Sequence, residues 1–538
     1  MTPERYNERW RWLTAGAVSL SLLAFLLLIG LLLWQGMRYF WPQPLILFSV
    51  QQPHQAAQPL LAEVISRQSP GTAQGAETTP QRLLVKTGNR DFAAPDFRTL
   101  LSSQIRAQSR PADAIAVLRR DQGMAYGWFA GLEENQQALL ASNMDNVFHQ
   151  RLQQVRLWQR QASHLRQVTL VEITKQLQTL AQQQKFDAAA GHDLQQESII
   201  EANRAEAQRQ FHEVSQQLAA LERQIDSDRL VMRDAQGALH RLPLADIVDA
   251  WYPNRMNFAQ KLQQAASRMI GFVSDTAPTS PEEGGIFPAI FGTVLMVMLM
   301  SVVVMPLGVV AAVWLHEYAG NGLLTRLVRI AVVNLAGVPS IVYGVFGLGF
   351  FVWLIGGSLD RLLFIDRLPA PTFGTPGLLW ASLTLALLTL PVVIVATEEG
   401  LSRIPRSLRQ GALALGATSA EALWQVTLPL AVPAMLTGLI MAIARAAGEV
   451  APLMLVGVVK MVPELPVDGV FPYLHLDRKF MHLGYQIYEL AFQNPNSQSD
   501  RPLLFATALL LVVIILLLNL LAMILRHRLR ERYRTLLH

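Results

Sequence analysis

The sequence has no cysteine among its 538 residues. It therefore has no disulfide framework, no thiolate metal site and no cysteine nucleophile. The eleven histidines show no H-x-x-x-H or similar spacing, so we expect neither a metal site nor a catalytic site. The motif G-x-x-x-x-G-K-[ST] is also missing, and no Gly-Lys pair occurs, so this chain cannot hold ATP in a P-loop.

Charged residues are scarce as well. Only 16% of the chain is charged and 51% is apolar, whereas a soluble globular chain usually has about 25% charged residues. This composition excludes a disordered protein and an ordinary soluble domain. Most of the formal charge of +5 comes from the tail 526–538, which holds five arginines and one glutamate. The basic balance thus indicates contact with anionic lipid headgroups and gives no argument for nucleic acid.

Six apolar runs are long enough to cross a membrane as helices, which takes about 20 residues each. They are Leu13–Trp34, Phe287–Leu315, Leu327–Ile355, Gly377–Ala396, Ala431–Val459 and Leu503–Leu525. A signal peptide is the alternative for the first run, but no convincing small-x-small cleavage site follows it. We therefore predict an all-α, multi-pass membrane protein with six transmembrane helices.

The distribution of basic residues predicts how these helices are oriented. The short segments on the side of both termini contain 13 arginines, and those on the other side contain seven basic residues. The positive-inside rule then places both termini in the cytoplasm. The predicted domains are a first helix with its N-terminus (1–39), an extracytoplasmic insert (40–285), a domain of five helices (286–525) and a basic tail (526–538).

The insert 40–285 has two parts of different character. Its first part, up to Pro111, is rich in Gln, Pro, Ser and Thr and predicts loops with short strands such as Arg82–Lys86. Its middle carries two apolar stripes at helical spacing, interrupted at 187–193. The stripes are Leu170, Ile173, Leu177, Leu180 and Phe211, Val214, Leu218, Leu221, Ile225. They predict an antiparallel helical hairpin that is partly a coiled coil, either a spacer or a docking surface.

The segment 398–430, between the fourth and fifth runs, is the most informative part of the chain. It predicts a short helix ending near Gly416, a bend, and a second helix from Ser419. Small residues such as Gly411 and Ala412 would let this backbone approach another protein closely. The alternative is an amphipathic turn that only anchors the loop at the membrane surface.

This loop resembles that of the membrane subunits of ABC importers. Their pattern is E-A-A-x-x-x-G, followed after nine residues by I-x-L-P. The matching residues here are Gln410, Gly411, Ala412, Gly416, Leu428 and Pro429, so the spacing is complete although Gln and Gly replace the leading Glu and Ala. The resemblance implies that the loop is the coupling helix, which sits in a groove of a nucleotide-binding subunit.

Other segments resemble the PstA-type permeases of phosphate importers. They are Gly284–Thr293, Pro306–Gly320, Asn334–Leu348, Ala444–Leu453 and Asn494–Leu511. The resemblance covers the chain from Gly284 onward together with the first span. It implies the ABC importer permease fold and a role in phosphate import. It also implies that the chain is not an enzyme.

The same resemblance implies a set of partners and a location. No cofactor is expected in this chain, because ATP-Mg is used by a partner ATPase. The implied partners are a PstC-type second permease subunit, a PstB-type ATP-binding dimer and a PstS-type periplasmic phosphate-binding protein. The implied location is the lipid bilayer of the bacterial inner membrane.

Ionisable residues inside a membrane span are costly, so they are expected to face a cavity or a partner. Arg445 and Glu449 are four residues apart in the fifth run and could pair on one helix face. The planar guanidinium of arginine suits a tetrahedral oxyanion, and the glutamate would neutralise it when the path is empty. The alternative is a buried ion pair that only locks the packing of the spans. The resemblance favours a substrate path, since the family has a charged pair here.

The third run carries Asn334, Ser340 and Tyr343 within three turns, and Pro339 among them is expected to kink the helix. These polar residues are candidates for the substrate path, with helix packing as the alternative. Two other functions stay open for the whole chain. One is a permease for sulfate, molybdate or a phosphonate, and the other is a membrane scaffold or phosphate-sensing component that acts through the insert.

Overall fold

The computed structural model describes residues 3–51, 57–68, 81–89, 91, 95–120, 122–134, 137–139, 144–190, 194–274, 285–320, 322–365, 370–462, 464–469, 472–493 and 501–534. The chain divides into two compact units. The membrane unit comprises Met1–Phe40, Arg268–Asp468 and Pro472–His538. The insert unit comprises Trp41–Ser267 with Gly469–Phe471.

Helix α1 (Pro3–Phe40) begins the membrane unit, and the insert unit then opens with an antiparallel sheet. The strand order in this sheet is β4-β3-β2-β1-β5. The strands are β1 (Leu45–Val50), β2 (Gln58–Gln68), β3 (Arg82–Lys86), β4 (Phe97–Leu101) and β5 (Ile105–Ser109). In β3, Leu83 and Val85 are buried and Arg82 is exposed, so side chains alternate between the two faces. The strand predicted at Arg82–Lys86 is therefore confirmed.

A second antiparallel sheet follows, with strand order β10-β9-β7-β6-β11 and with β8 paired to β7. Its strands are β6 (Ala114–Arg119), β7 (Gly123–Glu134), β8 (Gln137–Ala138), β9 (Asp228–Arg233), β10 (Leu239–Pro243) and β11 (Ile247–Trp251). The predicted all-α class is wrong for this unit. Short strands with a period of two give a weak signal beside long apolar helices, and Arg82–Lys86 was the one strand predicted by its bounds.

Long helices complete the insert unit. They are α2 (Met144–His164), α3 (Leu170–Ala190), which α2 reaches through a π-helical turn, and α4 (Leu194–Ile225). Helix α2 packs Phe148 and Leu152 against the second sheet. Helices α3 and α4 contact each other, and hydrogen bonds from Arg166 to Glu222 and from Arg204 to Gln184 fix an antiparallel arrangement. The partly coiled-coil character stays a prediction, and the middle of the predicted interruption, Gly191–Asp193, lies outside the described residues.

The rest of the chain is helical. Its helices are α5 (Phe258–Ser274), α6 (Phe287–Val313), α7 (Leu323–Leu335), α8 (Ser340–Phe346), α9 (Gly357–Leu363), α10 (Leu378–Ser402), α11 (Arg406–Ala414), α12 (Ser419–Ala422), α13 (Leu428–Gly448), α14 (Leu453–Val456), α15 (Leu483–Phe492) and α16 (Arg501–Arg534). π-Helical segments extend α6 to Tyr318, join α8 to α9, and join α12 to α13.

Six helical segments in the described part of the chain are long and apolar enough to span a membrane, as predicted. They are Trp12–Phe40, Phe287–Tyr318, Ser340–Leu363, Leu378–Ser402, Ser419–Gly448 and Arg501–Arg528. Helix α10 is the central one, since it packs against α6 on one side and α13 on the other. The core between them contains Met296, Met300, Leu385, Val393 and Ala442, all buried.

Two predicted spans have wrong boundaries. The third was predicted as one helix over Leu327–Ile355, but α7 ends at Leu335 and a separate helix begins at Ser340. Pro339 does not kink a helix but lies immediately before α8. The residue that precedes a proline avoids the helical conformation, so a helix does not continue through this position. The fifth span ends at Gly448, well before the predicted Val459.

Candidate coupling loop and charged site

The loop between α10 and α13 folds as two short helices. The first, α11, begins after Pro405 and ends at Ala414. The second, α12, begins after Thr418, whose hydroxyl accepts a hydrogen bond from the Glu421 backbone N–H while the Glu421 carboxylate accepts from Thr418 N at 2.8 Å. This reciprocal capping box fixes where the second helix starts.

Gly416 ends the first helix of this loop by a defined turn. Its φ angle is +92°, a left-handed conformation that costs residues with a side chain about 1–2 kcal/mol. Its backbone N–H donates to the Leu413 carbonyl, and the N–H of Ala417 donates to the Ala412 carbonyl. These two bonds form a Schellman motif, so Gly416 sets the angle between the two helices.

The loop presents apolar side chains outward. Leu415 is 91% exposed, Trp424 is 69% exposed, and Leu413 is exposed as well. The predicted coupling residues Gln410, Gly411 and Gly416 are exposed, whereas Ala412, Leu428 and Pro429 are half-buried. A Cβ atom added at Gly411 or Gly416 would meet no other atom within 4 Å. The small residues therefore face open space that another protein could fill.

Two ion pairs were missed by the sequence analysis, one between the loop and the second span and one between α7 and α10. Arg409 of α11 pairs with Glu317, a buried carboxylate at the end of the second span, which also lies 3.1 Å from His316 Nδ1. Arg329 of α7 donates to Glu398 of α10 at 2.7 Å. The position of Arg409 in a series of regularly spaced arginines was the only sequence signal for the first pair. It could not identify the partner, because Glu317 lies 92 residues away in the sequence.

The predicted charged pair lies at the end of α13. The Nε atom of Arg445 is 3.6 Å from Oε1 of Glu449, and the two side chains are 32% and 22% exposed. Arg445 belongs to the last helical turn, but Glu449 has already left the helix, with ψ at 129°. The pair was predicted on one continuous helix face; it instead straddles the point where the helix stops.

Helix α8 contacts the segment that follows this pair. A Cβ added at Gly344 in α8 would lie 2.7 Å from Cα of Pro452, so α8 and the segment after Glu449 are in close backbone contact. Tyr343, the neighbour of Gly344, is buried and donates to the Leu335 carbonyl at 2.6 Å. Irregular backbone inside a membrane persists only where protein buries it or where it lines a cavity.

Tyr343 lies on α8, the helix that contacts the segment after the charged pair. Asn334 and Ser340 lie on either side of the break between α7 and α8. Asn334 is exposed and Ser340 is half-buried. Among the described residues, neither side chain is hydrogen-bonded to the charged pair. The arrangement offers one guanidinium and one carboxylate at the point where α13 stops, which suits transient binding of an anion.

The chain is similar to known membrane transport proteins. A family model described as binding-protein-dependent transport system inner membrane component matches residues 304–535. The phosphate transport system permease protein PstA of Yersinia pestis is 32% identical over 251 residues, covering 47% of this chain and 75% of that protein. The chain belongs to the PstA-type permease family.

Other PstA-type relatives match over shorter stretches. The probable PstA of Methanocaldococcus jannaschii is 30% identical over 43% of this chain and 72% of that protein. The PstA 1 of Mycobacterium tuberculosis (strain CDC 1551 / Oshkosh) is 36% identical over 33% of this chain, and the match spans about half of that relative, 53%. Among solved structures, a chain of the inward-facing MetNI methionine ABC transporter aligns with 46% of this chain and 94% of its own length at 18% identity and a TM-score of 0.32.

Proposed function

We propose that this PstA-type chain is a membrane permease subunit of an ATP-driven importer that moves inorganic phosphate across the bacterial cytoplasmic membrane. The observation that carries the proposal is the match to the Yersinia PstA over three quarters of that protein. The family model matches residues 304–535, which include both the loop and the charged pair. The chain itself performs no chemical reaction in this proposal. Its role is to provide a path and to transmit motion.

The exposed loop supports coupling to a separate ATPase. Leu413, Leu415 and Trp424 would be costly to leave in water outside the membrane, and burying them against another protein would stabilise the contact. In the proposal a PstB-type dimer hydrolyses ATP-Mg and holds the loop around Gly416, with Gln410, Gly411, Ala412, Leu428 and Pro429 at its edges. The ion pair between Arg409 and Glu317 would pass the motion on to the second span.

The charged pair at the end of α13, beside the contact between α8 and the segment that follows, supports a substrate path. In the proposal Arg445 holds the oxyanion, Glu449 takes its place when the path is empty, and the Tyr343 hydroxyl offers a further polar contact. Asn334 and Ser340 would line the path beside the break between α7 and α8. A path of this kind needs a second membrane subunit, here of PstC type, so that the two can rock around the site.

The proposal also covers the topology of the chain in the membrane and the delivery of phosphate to it. Both termini and the loop would lie in the cytoplasm, since the basic residues concentrate there. The insert unit would lie in the periplasm, where a PstS-type binding protein delivers phosphate. The proposed domain limits are those of the sequence analysis, namely 1–39, 40–285, 286–525 and 526–538.

Uptake of labelled phosphate tests the proposal directly. Cells that lack this chain and cells in which it is restored are compared at limiting phosphate, with sulfate, molybdate and a phosphonate as competitors. We expect the restored chain to raise uptake and only unlabelled phosphate to compete. Competition by another oxyanion would move the substrate to that ion. Unchanged uptake with normal membrane insertion of the chain would overturn the transport proposal.

A further inference from the structure

A groove of about 500 Å³ lies at the loop-bearing end of the membrane unit. The ends of α10 and α16, the start of α11 and the first half of α13 form its walls. The fourth span ends at Ser402 and the sixth at Arg528, so the groove sits where the apolar part of the bundle stops. That level corresponds to the headgroup region of a bilayer.

One wall of the groove holds a positioned arginine. Arg526 of α16 donates from Nη1 to the Thr437 hydroxyl oxygen at 3.0 Å. Thr437 in turn donates to the Pro433 carbonyl at 2.8 Å, which fixes the direction of its free lone pair. Arg526 is half-buried, so its side chain is held in place while its remaining donors stay available.

The groove lining also supplies a second cation and one carboxylate. Arg403 lies 3.7 Å from Glu399, and both side chains are largely exposed. An exposed pair of this kind is weak, typically below about 1 kcal/mol, so Arg403 can turn toward another anion. With Arg526, Arg403 and Glu399 together, the polar rim carries a net charge of +1.

The rest of the lining is apolar. Leu408, Leu430 and Met441 contribute to it, and Met441 is 56% exposed. A small inorganic anion would gain nothing from this apolar wall, whereas a phospholipid would cover it with an acyl chain. The combination of a cationic rim at headgroup level and an apolar wall below it therefore distinguishes a lipid from a free ion.

We propose that this groove is a binding site for an anionic phospholipid, with the phosphodiester between Arg526 and Arg403 and an acyl chain along Met441 and Leu430. The site is separate from the pair Arg445–Glu449 and does not depend on the transported substrate. Because the groove touches α11 and α13, a bound lipid would brace the loop against the spans. Glu399 opposes the headgroup by repelling it and by competing for Arg403.

Lipid retention by the purified full-length chain tests this site. The chain is exchanged into mixed micelles of neutral detergent with phosphatidylglycerol and phosphatidylethanolamine, and retained lipid is measured by native mass spectrometry. We expect selective retention of phosphatidylglycerol. Arg526→Gln should weaken it about tenfold, the scale of one lost charge-assisted hydrogen bond. Glu399→Gln should strengthen it, because Arg403 is released and the repulsion disappears.

Matched variants keep the result interpretable. Arg528→Gln removes an exposed charge two residues along the same helix, outside the groove, and should retain phosphatidylglycerol as the wild type does. Thr437→Val keeps every charge but frees Arg526, and should weaken retention. Equal retention of the two lipids, or an Arg526→Gln variant that elutes as a folded chain and retains phosphatidylglycerol normally, would overturn the proposal. Displacement of the lipid by millimolar inorganic phosphate would instead assign the groove to free phosphate.

Discussion

Glu317 and Arg409 form an ion pair that joins the end of the second span to α11, the first helix of the candidate coupling loop. The carboxylate side chain is only 5% exposed, whereas the guanidinium side chain is 36% exposed. A buried carboxylate needs a partner, so this contact holds α11 at one position relative to α6. The pair therefore connects the loop directly to the second span.

Glu317→Gln should uncouple ATP hydrolysis from transport. The amide can keep one hydrogen bond to Arg409 but no longer attracts it by charge, a loss of about 1 kcal/mol. We expect the ATPase to bind normally while the ratio of phosphate imported to ATP hydrolysed falls, measured in proteoliposomes with the assembled transporter. Arg406→Gln, which changes an exposed arginine of the same helix, serves as the control. An unchanged ratio for Glu317→Gln would show that this ion pair transmits nothing.

Arg445→Gln should stop uptake without preventing assembly. If Arg445 binds the oxyanion, loss of its charge and its forked donors removes at least about 1.5 kcal/mol of binding, more than tenfold in affinity. Glu449→Gln should behave differently, since the arginine would then lack its resting partner and bind phosphate more tightly. Uptake rates and the recovery of assembled complex are measured for both variants. Failure of Arg445→Gln to assemble would favour the packing alternative.

The membrane helices could be predicted from sequence because length and apolar composition alone decide which segments can cross a bilayer. Their ends could not. The apolar residues of α7 continue almost unbroken toward α8, and only Pro339 marks the break between them. Most strands of the insert were missed because they are short, as Leu45–Val50 is with six residues, whereas a helical signal is read over about a dozen residues.

In the candidate site, too, some residues could be predicted from the sequence and others could not. Arg445 and Glu449 were found because their sequence spacing predicts contact, and they do lie 3.6 Å apart. Glu317 was missed because its partner Arg409 is distant in sequence, and only the packing of α11 beside α6 brings them together. Local spacing can be read from a sequence, whereas a tertiary ion pair requires the packing that creates it.

Two glycines of the loop should respond in opposite ways to alanine. Gly416→Ala places a side chain at φ +92°, which costs about 1–2 kcal/mol and changes the angle between α11 and α12. Gly411→Ala lies inside α11 with open space around it, gains about 0.5–1 kcal/mol of helix stability and restores the alanine of the importer pattern. We expect co-purification of the ATPase to fall for Gly416→Ala and to stay normal for Gly411→Ala. The reverse order would contradict the assigned role of Gly416.

Removal of the insert should leave the membrane unit intact. The two chain ends at which the insert unit leaves it are already in contact, since Arg268 donates to the Phe40 carbonyl at 3.2 Å and the Phe40 and Phe272 rings are 5.4 Å apart. A short Gly-Ser linker can therefore replace 41–267. We expect the variant to insert, assemble and import phosphate. Loss of uptake in a fully assembled complex would instead support the scaffold or sensing role for the insert.

The stability of the membrane unit should fall as the pH is lowered below 6.5, because of His482. This residue caps α15, with Nδ1 accepting the Gly484 N–H at 3.1 Å, and its complete burial lowers its pKa to about 4. In the unfolded chain the pKa is about 6.5, so between these values the unfolded state binds more protons and is favoured as the pH falls. The expected loss at pH 5 is about 2 kcal/mol.

His482→Asn isolates this effect, because asparagine keeps an acceptor for the Gly484 N–H but does not titrate in this range. The apparent unfolding temperature of the purified chain is measured from pH 7.5 to pH 5 for the wild type and the variant. Other groups that titrate in this range affect both proteins equally, so the difference between the two curves reports His482 alone. We expect the wild type to lose stability faster than the variant, and parallel curves would mean that His482 is protonated in the folded protein.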